Sequence, residues 1–133
     1  IDGECRYQDD AEIYKLEDLK DMETNFDDIK NLENGDTVTN PVYIEFGVEG
    51  MDIRPAGEIV KGTGHHHLLI GNAFLAKGEV VPADSVNIHY GAGQSSDTVY
   101  LPKGTVRLGM QFANGLHASY GRDMSASIKV YVQ

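Results

Sequence analysis

Thr105-Val-Arg-Leu-Gly-Met-Gln-Phe112 is the stretch on which the fold class turns. Val106, Leu108 and Met110 alternate with Arg107, Gly109 and Gln111. A period of two puts the apolar side chains on one face of an extended chain and leaves the other face wet. The same alternation flanks it on both sides. Downstream, Ile128, Val130 and Val132 alternate with Lys129 and Tyr131; upstream, Val99 and Leu101 alternate with Thr98 and Tyr100. Pro102-Lys103-Gly104 reads as a hairpin-type connection between two of these runs. Further strand candidates are Val42–Phe46, which follows the turn signal Asn40-Pro41, then Leu68–Ile70 and Val86–Tyr90. Short strands separated by glycine-containing turns, with no long helices between them, exclude a doubly wound parallel sheet. They predict an all-β domain, an immunoglobulin-like antiparallel β-sandwich over residues 37–133.

Residues 1–36 differ in character and are read as an acidic N-terminal extension or arm. Eleven of the chain's 21 acidic residues fall between Asp9 and Asp36. Within this segment Ile13, Leu16, Leu19 and Met22 recur every three residues, which fits one face of a short helix. The alternative is an extended arm with a short strand at Phe26–Leu32. The acidic run lacks the D-x-D-x-D-G spacing of a calcium loop and is read as a solvated face. With 21 acidic against 11 basic residues, the net charge of −10 disfavours nucleic acid and anionic membrane as partners and favours cations. No apolar run is long enough for a membrane span. Cys5 is the only cysteine and cannot form an internal disulfide.

The chemistry-bearing residues are the five histidines, none of which lies in the first 64 residues. His65, His66 and His67 stand in Gly62-Thr-Gly-His-His-His-Leu-Leu-Ile70, with His89 and His117 following. In an extended strand His65 and His67 share one face, and His66 points to the other. A neighbouring strand carrying His89 would complete a three-imidazole group, with His117 in a loop at the sheet end as a further member. Neutral imidazole is the commonest protein ligand for copper and zinc, and three of them leave a position for an external ligand. The competing reading is a hydrogen-bonded network of core histidines that holds loops together. Other candidates carry less. Ser95 and Ser96 lack a G-x-S-x-G elbow, and Gly91-Ala-Gly93 lacks the third glycine of a dinucleotide loop. Tyr90, Tyr100, Tyr120 and Tyr131 can line a groove, and Met51, Met110 and Met124 can ligate copper, but packing explains both sets equally well.

Several segments together are similar to the bacterial domain-of-unknown-function family 4399. They are Phe46-Gly-Val-Glu-Gly-Met51, Pro55-Ala-Gly57, the Gly62–Ile70 segment, Val81-Pro-Ala-Asp84, Ile88-His-Tyr-Gly91, Gly93-Gln94 and Leu101-Pro-Lys-Gly104. The resemblance spans about residues 30–133. It implies a small β-sandwich module, periplasmic or extracellular in location, and no established activity. It also implies a histidine-rich loop near the end, with histidines two before and three after His117. This chain has Gly115 and Tyr120 there, so the resemblance leaves His117 in doubt as a ligand.

Two functional readings result. The first is an exported domain that binds copper or zinc without being an enzyme. Its ligands are His65, His67 and His89, with His117 as a fourth; Asp84 or Gln94 orients a ring from behind. The second is a structural or assembly module of a cell surface or extracellular filament. There the histidines form a polar staple, and the N-terminal arm contacts a neighbouring subunit, either by self-association or on another exported protein. A copper oxidase built on the histidines is a third expectation.

Overall fold

The computed structural model describes residues 27–133. The helix expected at Ile13–Met22 and the surroundings of Cys5 lie outside the described residues. Among those described, the chain is all-β apart from one 3-10 turn at Arg122–Met124, and its strands form two sheets. No helix among them is long and apolar enough to cross a membrane.

The smaller sheet centres on β3, Val42–Val48, with β1, Asp27–Ile29, on one side and β7, Ser96–Val99, on the other, all antiparallel. The chain is thus already in a sheet ten residues before position 37. β1 falls within the Phe26–Leu32 segment that the extended-arm reading marks as a strand. The larger sheet runs in the order β2 (Thr37–Val38), β9 (Ser125–Val132), β8 (Gly104–Ala113), β5 (Thr63–Ile70) and β4 (Asp52–Ile53). β6, Asn87–His89, also pairs with β5. All six strand candidates read from the sequence are strands here, and β2 and β4 are added.

The expected purely antiparallel arrangement holds for the small sheet only. The larger sheet is mixed, because β2 lies parallel to β9 and β4 lies parallel to β5. The first parallel pairing follows from the path of residues 34–38. That segment runs alongside the last strand, held by Gly35 N–H to the Lys129 carbonyl and Tyr131 N–H to the Asp36 carbonyl. Pro102-Lys103-Gly104 is not a hairpin loop either. It carries the chain from β7 in the small sheet to β8 in the large one.

The core lies between the sheets. Val42, Ile44 and Phe46 of β3 meet Leu68 of β5, Val106, Leu108 and Met110 of β8, and Val130 and Val132 of β9. The alternating residues Tyr43, Tyr100 and Tyr131 are exposed, as a two-residue period requires. The centre of the large sheet departs from that rule, since both of its faces are buried. On the outer face, the 71–81 loop crosses β8 so closely that the carbonyls of Asn72 and Ala73 occupy the place a side chain at Gly109 would need. Gln111 is fully buried beneath this loop. Its Oε1 accepts from the Leu75 N–H, and its Nε2 donates to the carbonyls of Phe112, Gly121 and Met124. A second small cluster, Leu69, Leu75, Val81 and Ala113, packs on this side. The loops that cover it convert an outer sheet face into an interior, and His65 and His67 sit in that interior.

Candidate metal centre

β5 carries Thr63-Gly-His-His-His-Leu-Leu-Ile70, and its free edge is divided between two partners. β4 pairs with Thr63 and Gly64; β6 pairs with His67, Leu68 and Leu69. His65 and His66 stand at the divide. Gly64 is required there, because any Cβ would run into the Ala113 carbonyl and the Phe112 ring on β8. The strand's two-residue period then separates the three histidines. His65 and His67 face outward under the loops, and His66 faces the core between the sheets. All three have no solvent exposure.

His89 on β6 lies directly across from His67 in the ladder. His117 approaches from the loop after β8, and its backbone is in the left-handed region, with φ of 68°. For a non-glycine residue this costs on the order of 1 kcal/mol, so the surroundings must hold it. They do so through Asn114, whose side-chain oxygen accepts from the N–H groups of Leu116 and Ala118. The Asn114 carbonyl accepts from the His117 N–H, and the His117 carbonyl accepts from Val81 N–H. Gly115 is pinned in the same loop. Its carbonyl accepts from Gly57 N–H, and a Cβ on it would collide with the Glu58 carbonyl. A histidine at that position does not fit this backbone. Tyr120 fills the other departure by donating to the Thr63 carbonyl at 2.6 Å.

The imidazoles converge on one atom. His117 Nδ1 lies 3.0 Å from His65 Nε2, 3.0 Å from His67 Nε2 and 3.0 Å from His89 Nδ1. The donor atoms of His65, His67 and His117 all lie within 4.8 Å of one another. His89 is set to one side. Its ring packs against His67 at 4.7 Å and His117 at 4.5 Å, and its Nε2 is 2.8 Å from the Pro82 carbonyl. A carbonyl only accepts, so Nε2 of His89 carries a proton, and in the neutral ring its Nδ1 presents a lone pair.

Burial keeps His65, His67 and His117 neutral. His65 is pushed down from the usual 6.5 to about 4, first by loss of solvent and then by its neighbours His117, His89 and His66. His67 is pushed down to about 2 by the same desolvation, with His65, His89 and His117 adding to it and the Gln111 backbone opposing. His117 is also lowered, by burial first and then by His89. Neutral imidazole is the form that ligates a metal.

The remaining sequence candidates fall elsewhere. Asp84 holds its own turn, accepting from Val86 N–H and the Asn87 side chain, and Gln94 accepts from Ala92 N–H. Neither contacts an imidazole; the group behind His89 is the Pro82 carbonyl, which no side-chain pattern could have revealed. Tyr90 is buried and donates to Asp97, while Tyr100 and Tyr131 are exposed on the surface, so the four tyrosines line no common groove. Met110 and Met124 are core residues. A partner that sequence reasoning missed is Asp27. It is fully buried, with Oδ1 2.7 Å from His66 Nδ1.

The sequence was compared with protein-family models, with curated proteins and with solved structures. The model described as "Domain of unknown function (DUF4399)" matches residues 44–133. No curated protein and no solved structure matches.

Proposed function

The chain belongs to the DUF4399 family, whose description carries no activity, and from the site itself we propose that it binds a transition metal, copper or zinc, through His65, His67 and His117, with His89 beside them. The observation that carries this is the convergence of three nitrogens at 3.0 Å on the single Nδ1 of His117. A ring nitrogen has either one proton or one lone pair, so it completes one hydrogen bond. A hydrogen-bonded staple would leave the other two contacts unmatched, and each buried unmatched polar group costs about 1–3 kcal/mol. The Nδ1 atoms of His65 and His67 are also buried without partners, so the protons have no better place to go.

A shared cation resolves this. In tetrahedral coordination at about 2.0–2.1 Å, ligand nitrogens sit about 3.3 Å apart, within a few tenths of an ångström of the 3.0 Å from His117 Nδ1 to His65 Nε2 and to His67 Nε2. An all-imidazole donor set with no thiolate suits zinc and divalent copper, and the acidic surface raises the local concentration of cations. Burial holds the rings in the ligating form. The two-sheet architecture is consistent with an immunoglobulin-like module that presents this site on an outer sheet face. The same reading places the protein in the periplasm or outside the cell, with binding rather than catalysis as its task. Self-association or pairing with another exported protein belongs to it as well.

Calorimetric titration of metal-free protein with copper and with zinc at pH 7.5 tests the proposal. It expects one equivalent of metal bound at micromolar concentration or tighter, with loss of binding in His67→Ala. Wild-type protein that binds neither metal removes the metal reading and leaves the assembly module.

A further inference from the structure

We infer that the centre is an open three-histidine site whose fourth position takes a small hydrogen-bond-donating ligand, water in the simplest case, and that His89 positions this ligand instead of ligating the metal. The inference rests on the metal reading above and adds to it the class of external ligand and the role of one residue.

Three observations lead to it. First, the four rings are not equivalent. His65, His67 and His117 have donor atoms mutually within 4.8 Å, whereas His89 joins the group from one side. Its ring packs on His67 and His117, and its nitrogen contact is to His117. Ligands of one tetrahedral ion must all be close to each other. Three rings meet that condition together.

Second, access is one-sided. His65 and His67 are sealed from solvent, while His89 and His117 are only partly buried. An external ligand therefore approaches on the side where His89 stands.

Third, the tautomer of the neutral His89 ring is fixed from behind. Nε2 donates to the Pro82 carbonyl at 2.8 Å, so the atom turned toward the cluster, Nδ1, is a lone pair. A lone pair beside an external ligand favours an occupant with a proton to share. It disfavours an anion that has none. Water meets the requirement; azide does not. Pro82 belongs to the segment that crosses over the site, where Val81 N–H binds the His117 carbonyl. One loop therefore sets both the ligand His117 and the acceptor His89.

The test uses the whole chain loaded with one equivalent of divalent copper. Electron paramagnetic resonance counts the coupled nitrogens, and oxygen-17-enriched water reports a bound water by line broadening. The expected result is three nitrogens with broadening in the wild type and three nitrogens in His89→Ala. Azide, followed by its charge-transfer absorption, should bind on the order of tenfold more tightly to His89→Ala than to the wild type, because the opposing lone pair is gone. His89→Gln, which can present an acceptor oxygen, should return azide affinity toward the wild-type value. Four nitrogens in the wild type falling to three in His89→Ala would make His89 a ligand and overturn the inference while leaving metal binding intact. Absence of broadening, or equal azide affinity in the wild type and His89→Ala, would overturn it too. Protein that takes up no copper at all removes both this inference and the metal reading.

Discussion

Acidification should destabilise the metal-free domain, by an amount that follows from the buried histidines. In the unfolded chain His65 and His67 titrate near 6.5; in the fold they are pushed down to about 4 and about 2. A depressed folded value means that the unfolded chain binds protons first. The stability these rings contribute is therefore complete above pH 6.5 and is lost as the pH falls below it. At pH 5 both folded rings are still neutral, so each has cost about 2 kcal/mol relative to pH 7. Asp27 acts in the opposite direction. Burial raises it from 3.8 to about 6, against the pull of His66, so the fold takes up a proton there first and gains on the order of 1 kcal/mol over the same interval. The net loss from pH 7 to pH 5 is on the order of 2–3 kcal/mol, a sizeable part of an ordinary domain's stability. Urea denaturation in the presence of a chelator, at pH 7, 6 and 5, measures it. The double variant His65→Leu with His67→Leu should lose most of the downward trend, leaving the part from His117 against the upward one from Asp27. Wild-type stability that is level or higher at pH 5 would refute the account of the buried neutral rings.

Further outcomes are expected from the same geometry. His117→Ala should weaken metal binding as much as His67→Ala, because His117 Nδ1 is the atom the other three rings meet; calorimetry of the two variants compares them. Gly115→Ala should destabilise the domain by about 1–3 kcal/mol and reduce metal affinity, since the new methyl meets the Glu58 carbonyl in the loop that sets His117; chemical denaturation and titration read the two effects. His66→Phe alone leaves Asp27 buried without its partner and should cost about 3–5 kcal/mol, whereas Asp27→Leu with His66→Phe should be near neutral or stabilising. Metal affinity should survive that double change, because the pair lies on the opposite face of β5 from the ligands.

What the sequence made legible follows the physics of strands. Of the six strands read from the sequence, β7, β8 and β9 are legible by alternation, and β3, β5 and β6 by apolar, β-branched or aromatic runs between turn signals. β2 and β4 are two residues each, too short for any period to register. They exist because the chain happens to run beside β9 and β5. The same limit explains the Pro102-Lys103-Gly104 turn. Its residues report a change of direction and say nothing about whether the next strand pairs with the last or joins the other sheet. At the site, the two-residue period places His65 and His67 together and His66 apart, and this is a local property. The prominence of His117 is not local. It depends on a left-handed residue held by Asn114 and on the Val80–Pro82 segment passing beside it. The resemblance read from the sequence left His117 in doubt because it implies histidines at positions 115 and 120, yet Gly115 has no room for one and Tyr120 is engaged with Thr63.

The run of three histidines is therefore two features that share one strand. His65 and His67 need a place that is dry and closed on one side and reachable on the other, and an exposed sheet face does not offer that. The 71–81 loop supplies it by crossing β8 at Gly109 and Gln111, with Gln111 tying the loop's Leu75 to the sheet from below. His66 belongs to the core between the sheets, where Phe46 and Phe112 pack edge-on against its ring and Asp27 of β1 meets its Nδ1. A buried polar pair is a poor source of net stability, but it constrains where β1 can dock, because a slip of one residue would turn Asp27 away from His66. β5 thus fixes β1 through its inward histidine and gathers the β6 and β8–β9 loop histidines through its outward ones. The site and the packing of the two sheets are set by alternate residues of one strand, so a register shift in β5 would abolish both together.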